Sequence, residues 1–305
     1  MTDQILADWI AVDWGTTNLR AFAMQGSAAI AEAVSEDGMG KLTRDAFEPA
    51  LIKLISPWLS ASHQTPVIAC GMVGSRQGWN EAPYRTTPCT PLDPTALVLV
   101  PTTDKRITMR IVPGLRQNKP ADVMRGEETQ IAGALALTPG FDGVYCMPGT
   151  HTKWVHISAG EVVSFQTFMT GEMFALLSTQ SVLRHGMTGG GWDDAAFDAG
   201  LSDALSRPEK IAANLFSLRA EGLLAGLAAP AARARLSGLL IGIELAAAKP
   251  YWLGQPIAII GADALSATYA RALTAQGNTP SIMPANDTVL AGLTLAHKTI
   301  MEVTR

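Results

Sequence analysis

Val12-Asp13-Trp14-Gly15-Thr16-Thr17-Asn18-Leu19-Arg20 has a counterpart far along the chain in Met147-Pro148-Gly149-Thr150-His151-Thr152-Lys153, and each copy follows a short apolar run. A strand that ends in a tight glycine and threonine turn presents backbone N–H groups and hydroxyls to an anion, so two such turns predict a polyphosphate gripped from both sides. In the first copy Asp13 heads the turn, where a carboxylate holds the hydration shell of Mg2+, and Gly15, Thr16 and Thr17 supply donors to phosphate oxygens. The second copy offers Gly149, Thr150, Thr152 and Lys153, with His151 as a further phosphate contact. A single copy is equally well explained as a hairpin turn whose Asp bonds its own backbone. Repetition after an equivalent strand favours phosphate. Neither a GxxxxGK[ST] loop nor a GxGxxG fingerprint occurs, so a P-loop or Rossmann site has no support.

Outward from the first turn, residues 9–14, 19–24 and 28–34 read as a β-meander, with Gly26-Ser27 as connector. Thr43 is placed to cap a helix carrying Phe47, Leu51, Leu54 and Ile55 on one face, and residues 67–70 form a short buried strand. Residues 71–94 then lose all periodicity, and an irregular stretch of that length inside a compact domain reads as a ligand loop. A helix over residues 127–137 separates the two turns, after which strands at 143–147, 154–157 and 162–168 repeat the opening plan. Helices over 173–183, 194–205 and 231–248 follow, the first two separated by a glycine-rich loop at 186–191. Then come a buried strand at 256–260, a helix over 264–276, a strand at 281–283 and a last helix over 287–301 capped by Asn286 or Asp287.

At 305 residues the chain is long enough for about two domains on a prior of ~150 residues each. Its apolar stretches are interrupted, as by Arg233, Arg235 and Glu244, and none reaches the ~20 residues of a membrane span. Asp3, Asp8 and Asp13 precede the first cation, Arg20, which argues against a secretory signal and for a cytoplasmic setting. Cys70, Cys89 and Cys146 form no CxxC pair, consistent with reduced thiols rather than a disulfide frame or zinc knuckle. A net charge of -4 with no basic block excludes an electrostatic footprint for nucleic acid.

The Asp-x-Gly-Thr-Thr opening, its echo and the strand ending in Gly261-Ala262-Asp263 resemble the phosphate-1, phosphate-2 and adenosine motifs of the superfamily of sugar kinases, actin and heat-shock chaperones. More closely, three runs are similar to the 2-dehydro-3-deoxygalactonokinase family: Gly71-Met72-Val73-Gly74-Ser75-Arg76-Gln77-Gly78-Trp79 with Glu81-Ala82-Pro83-Tyr84, Arg125-Gly126-Glu127-Glu128-Thr129, and Pro148-Gly149-Thr150-His151-Thr152-Lys153-Trp154. The likeness covers nearly the whole chain. It implies an α/β fold of two RNase-H-like (actin-like ATPase) domains flanking an interdomain cleft. Residues 1–138 with 288–305 would form the domain bearing the sugar-acid loop, and residues 139–287 the nucleotide-binding domain. It also implies phosphorylation of the 6-hydroxyl of 2-dehydro-3-deoxy-D-galactonate with ATP and Mg2+, Gly261 lying on the adenosine side. Partners would be the small sugar acid and ATP, with no nucleic acid or membrane; self-association is left open.

Related sugar kinases place an Asp at the head of the crossing helix; here Glu127 and Glu128 stand there, and Glu128 is preferred as the base because Thr129 follows it. Glu172 is an alternative. Acidic residues in a first helical turn also stabilise the macrodipole by ~0.3–1 kcal/mol without any catalytic purpose. A substrate carboxylate calls for a planar bidentate donor, for which Arg76 leads over Arg20, Arg85 and Arg125. Gly71, Ser75, Trp79, Tyr84 and Arg125 complete the expected acceptor pocket, although Trp79 and Tyr84 serve equally well as loop packing. Rival readings are a kinase for another sugar or sugar acid, an actin-like filament or chaperone ATPase, and a polyphosphate hydrolase. The irregular loop favours the kinase.

Overall fold

Residues 5–303 are described by the computed structural model. Residues 1–4 and 304–305, which the expected first domain includes, lie outside the described residues. Two compact units divide the chain: Met1–Phe141, Ser158–Ser164 and Ala285–Arg305 form one, Asp142–Ile157 and Phe165–Pro284 the other.

The first unit opens with strands β1 (Trp9–Trp14), β2 (Leu19–Gln25) and β3 (Ala28–Ser35), followed by helix α1 (Phe47–Ile55) and strand β4 (Thr65–Gly71). Short strands β5 (Arg85–Thr86), β6 (Val98–Val100), β7 (Ile107–Ile111), β8 (Leu115–Asn118) and β9 (Ala121–Met124) lead to helix α2 (Glu127–Leu137). The main sheet runs β3-β2-β1-β4-β7-β6, and β5-β8-β9 make a small separate sheet. β1 is antiparallel to β2 and parallel to β4, so it lies in the middle, and every residue in it except Asp13 is buried. Alternation sends Ile10, Val12 and Trp14 to the face covered by Phe47, Leu51 and Ile55. Trp9 and Ala11 take the other face.

The chain continues through β10 (Gly143–Met147), β11 (Thr152–Ser158), β12 (Glu161–Phe168), α3 (Thr170–Thr179), α4 (Asp194–Ser206), α5 (Ile211–Leu224), α6 (Ala229–Ala247) and the short α7 (Lys249–Trp252). Strand β13 (Ile257–Gly261), helix α8 (Asp263–Thr274), strand β14 (Ser281–Pro284) and helix α9 (Ala285–Val303) complete it. The second sheet runs β12-β11-β10-β13-β14, with β10 antiparallel to β11 and parallel to β13. That order repeats β3-β2-β1-β4-β7 strand for strand, which is the duplicated RNase-H-like plan that the resemblance implies.

Several local expectations are corrected. Thr43 does not cap α1: a 3-10 turn at Arg44–Ala46 intervenes, the Thr43 side chain makes no cap bond, and it bonds Asp45 instead. The last helix starts at Ala285, directly after β14, so the expected cap residues Asn286 and Asp287 lie within its first turn, and the Asn286 Oδ1 accepts from Arg20 Nη1 at 2.5 Å. The helix expected over 173–183 breaks at Thr179, and a 3-10 turn takes Val182–Gly186. No described helix is long and apolar enough to cross a membrane.

In the first unit α9 lies on α2 with the two backbones in contact, and glycine makes this possible. A β-carbon built on Gly133 would fall 1.8 Å from the Thr288 carbonyl oxygen, and one on Gly292 2.0 Å from that of Thr129. Neither obstacle is a flexible side chain, so the helices must move apart to admit a methyl group. Gly292→Ala is therefore expected to lose about 1–3 kcal/mol in urea unfolding. Gly222→Ala in α5, where nothing lies within 4 Å, should instead gain up to about 1 kcal/mol.

Candidate functional site

In the first unit three chain segments meet beside Asp13. β1 delivers Asp13, with its side chain 20% exposed and Oδ2 accepting from Arg20 Nη2 at 2.5 Å. The first turn is tied down from below: Gly15 N–H donates to Asn18 O at 3.0 Å, and Met39 and Gly40 N–H donate to the carbonyls of Gly15 and Thr16. Thr16 and Thr17 remain exposed. β4 ends at Gly71, whose φ of 92° is accessible to glycine at little cost, and a β-carbon there would lie 2.6 Å from the Trp14 carbonyl. Gly126, at φ 106°, approaches in turn: its β-carbon would lie 3.3 Å from the Gly71 Cα.

Both glutamates at the head of α2 fold back onto the preceding backbone. Glu127 Oε2 accepts from Arg125 N–H at 3.0 Å, and Glu128 Oε2 from Gly126 N–H at 2.7 Å. Glu128 Oε1 also accepts from the Thr129 hydroxyl at 3.0 Å. Glu127 is half-buried; Glu128 is 0% exposed. Burial, then the charge of Glu127, push the Glu128 carboxyl up to about 8 against the opposing hydrogen bonds. The Cys70 thiol, 4.0 Å from Asp13 Oδ1, is raised by its own burial and then by Asp13 and Glu128.

The expected acceptor loop divides into packing and polar parts. Trp79 is core: its ring sits 6.2 Å from Trp14 and 6.4 Å from Phe47. Arg76 is exposed, and its carbonyl accepts from Arg44 Nη2 at 3.0 Å. Arg125, by contrast, is 9% exposed, with its guanidinium 4.3 Å over the Tyr84 ring and Nη2 donating to Ala82 O at 2.7 Å. Its Nε and Nη1, and the nearby Ser75 Oγ, are buried without a hydrogen-bond partner. A β-carbon on Gly74 would come within 2.8 Å of Nη1, so glycine there gives the guanidinium its room.

In the second unit a cavity of about 730 Å³ opens beside the second turn. Gly149 and Thr150 line it, together with Thr170 and Gly171 at the head of α3, Phe174, Trp192, Arg233, Leu240, and Leu265 and Tyr269 of α8. Gly171 presses on the turn: a β-carbon there would fall 2.2 Å from Gly149 O. Arg233 lies 5.5 Å from the Phe174 ring centroid. The other residues expected in this turn do not line the cavity. His151 is exposed and bonded through Nε2 to Glu172 Oε2 at 2.6 Å, Lys153 is buried in β11, and Thr152 is buried with its hydroxyl 3.0 Å from Tyr269 OH. Gly261 sits behind the wall, where a β-carbon would lie 2.9 Å from Ser266 Oγ.

Sequence reasoning missed the aromatic and cationic lining from Phe174, Trp192 and Arg233, and it missed Glu244. This carboxylate, 1% exposed in α6, was visible only as a lone acid in an apolar helix, which is itself a signal because such residues are seldom buried without partners. Among the described residues no group of three or more His, Cys, Asp or Glu could enclose a metal ion.

A family model described as 2-keto-3-deoxy-galactonokinase matches residues 13–296. The chain is 39% identical over 301 residues to DgoK1 of Rhizobium meliloti (strain 1021), described as a probable 2-dehydro-3-deoxygalactonokinase, covering 96% of this chain and 97% of that one. It is 36% identical over 295 residues to the 2-dehydro-3-deoxygalactonokinase of Escherichia coli (strain K12), covering 95% and 98%. A crystal structure from Sinorhizobium meliloti, assigned to 2-dehydro-3-deoxygalactonokinase, superposes with a TM-score of 0.89 at 38% identity, covering 96% of this chain and 99% of that one.

The raised Glu128 carboxyl has a consequence for stability. Between its ordinary value of 4.5 and about 8 the folded protein keeps a proton that the unfolded chain has released, so stability falls as pH rises through that window and levels off above it. Glu128→Gln removes this term. Its unfolding free energy should exceed that of the unmodified protein at pH 8 by a few kcal/mol at most and lose the advantage at pH 5, as followed by urea denaturation at each pH. The same pH slope in both proteins would contradict the assignment.

Proposed function

The chain belongs to the 2-keto-3-deoxy-galactonokinase family, and from that we propose that it transfers the terminal phosphoryl group of ATP to the 6-hydroxyl of 2-dehydro-3-deoxy-D-galactonate. The observation that carries the acceptor's chemistry is Arg125. A guanidinium that is nearly dry and leaves Nε and Nη1 unmatched is costly unless an anion arrives, and a carboxylate supplies the opposite charge and an acceptor for Nη1. Arg76, solvated and exposed, gains less from the same partner, so Arg125 takes the acid, and the unpartnered Ser75 Oγ of the loop is a further donor. The loop of residues 71–84 packs on the guanidinium through Gly74, Ala82 O and the Tyr84 ring, whose face stabilises the charge.

ATP belongs to the second unit. The cavity beside Gly149 and Thr150 has the mixed lining that a nucleotide base and sugar require, and those two turn residues line it. Asp13 suits Mg2+, which keeps most of its waters and needs only one or two carboxylates; when bound the ion neutralises charge that develops on the transferred phosphoryl group. Asp13 would hold the ion's water shell, while Arg20 steadies Oδ2. Of the two glutamates, Glu127 orients the acceptor hydroxyl because it is half-buried, and Glu128, wholly enclosed, holds the Gly126 backbone behind it. Phosphoryl transfer is largely positioning and charge stabilisation, so these roles suffice. Free thiols at Cys70, Cys89 and Cys146 suit a reducing, cytoplasmic setting.

Release of ADP, followed by a coupled assay across 2-oxo-3-deoxy sugar acids, aldonates and free hexoses, should be stimulated by the 2-oxo-3-deoxy acids above all. Steady hydrolysis unaffected by any acid would reject the kinase reading. Arg125→Lys keeps the charge and loses the planar guanidinium with its several fixed N–H donors, so the acceptor KM should rise about 10–100-fold while the KM for ATP stays within about threefold. In single turnover, Glu127→Gln should slow transfer by about 10²–10⁴-fold with ATP affinity intact, and Glu128→Gln by much less. The reverse ranking would exchange their roles.

A further inference from the structure

A buried polar assembly of the second unit is not used by the reaction as described above. Glu244 lies in the last turn of α6, where its Oε1 accepts from Trp154 Nε1 at 2.8 Å and its Oε2 accepts from Tyr269 OH at 2.8 Å and from the Thr170 hydroxyl. Tyr269 OH stands in turn 3.0 Å from the Thr152 hydroxyl, in the strand that leaves the second turn. With Tyr269 donating to Glu244, its oxygen is left to accept from Thr152, so one directed chain of hydrogen bonds runs from the turn strand to the carboxylate. Four elements, β11, α3, α6 and α8, are thereby pinned to a single side chain.

Two of the three donors to Glu244, Thr170 and Tyr269, also line the cavity beside Gly149 and Thr150. Thr170 further precedes Gly171, whose backbone lies against the carbonyl of Gly149. We propose that Glu244 is a positioning residue for the nucleotide: by holding Thr170 and Tyr269 it sets the wall of the cavity and, through Gly171 and Thr152, the posture of the second phosphate turn. This rests on the reading of the cavity as the ATP site. Glu244 touches no reactant in this account, so its loss weakens ATP binding and leaves the acceptor's site in the first unit as it was.

The chemistry of the bonds separates this role from plain support of the fold. A burial pushing the carboxyl up to about 7 marks how little water reaches it. Glutamine fills the same space and turns its amide so that its oxygen accepts from Trp154 while its NH2 donates to the two hydroxyls, which rotate to receive it. Alanine leaves three buried donors without a partner.

The test measures ADP binding by calorimetry, and steady-state constants for ATP and the sugar acid, in Glu244→Ala, Glu244→Gln, Tyr269→Phe and Thr170→Val. Glu244→Ala should raise the KM for ATP and the Kd for ADP at least tenfold with kcat and the acceptor KM within threefold, and Glu244→Gln should restore both to within threefold. Tyr269→Phe and Thr170→Val each keep the carboxylate and should give part of the effect, which covers the case that the alanine variant does not fold. A lower melting temperature with an unchanged KM for ATP throughout the set would overturn the proposal. Ser237→Trp, which blocks the cavity, distinguishes the two possible failures. If it abolishes ADP binding while the Glu244 set is silent, only the positioning role is wrong; if ADP still binds, the cavity is not the nucleotide site and the role falls with it.

Discussion

Two stretches of main chain run against each other beside Asp13 because Gly71 and Gly126 carry no side chain. A β-carbon at the first would press on the Trp14 carbonyl and one at the second on Gly71 itself, and both backbones take a positive φ. This contact brings the end of β1, the end of β4 and the head of α2 to one place. It is what turns three separate motifs, an Asp-containing turn, a glycine-led loop and a pair of glutamates, into a candidate site. Gly133 and Gly292 then fix α2 against α9, so the helix that carries the glutamates is held at its middle as well as at its head.

The second unit repeats the strand order but not the chemistry of its turn. Where β1 ends near an aspartate paired with Arg20, β10 leads into Pro148 and a turn whose neighbour is the α3 start. On the proposed reading the first turn serves cation and acceptor, and the second the phosphates and nucleotide. Both units bury a carboxyl group with its hydrogen-bond donors supplied, Glu128 in one and Glu244 in the other, and desolvation raises both. Each fixes a backbone or hydroxyl near a turn.

Much of this was legible in the sequence, for a physical reason. β1, β10 and β13 are short runs buried on both faces, and α2 has a glycine before it and Pro139-Gly140 after it, so their bounds agree with the reading to within a residue or so. The strands β6, β8 and β9 escaped because three or four residues are too few to show alternation. α5 escaped because its apolar residues do not form a stripe: Leu218 alone is buried, while Phe216, Leu223 and Leu224 face outward. In the site, the fold separates motif residues by burial in a way that no local pattern of the sequence shows. Arg76 and Arg125 look alike in sequence; burial of one and exposure of the other come from the fold. Glu244 was missed because its donors stand 90, 74 and 25 residues away and no local pattern joins them.

The central claim is that a phosphoryl group passes from ATP to the terminal hydroxyl of a 2-oxo-3-deoxy sugar acid and not to water. It is tested most directly by phosphorus NMR of the products formed from ATP and 2-dehydro-3-deoxy-D-galactonate by the purified protein with Mg2+. The account predicts a phosphomonoester signal split by a methylene group, rising one for one with ADP. Inorganic phosphate as the sole product, or an ester on a secondary carbon, would contradict it.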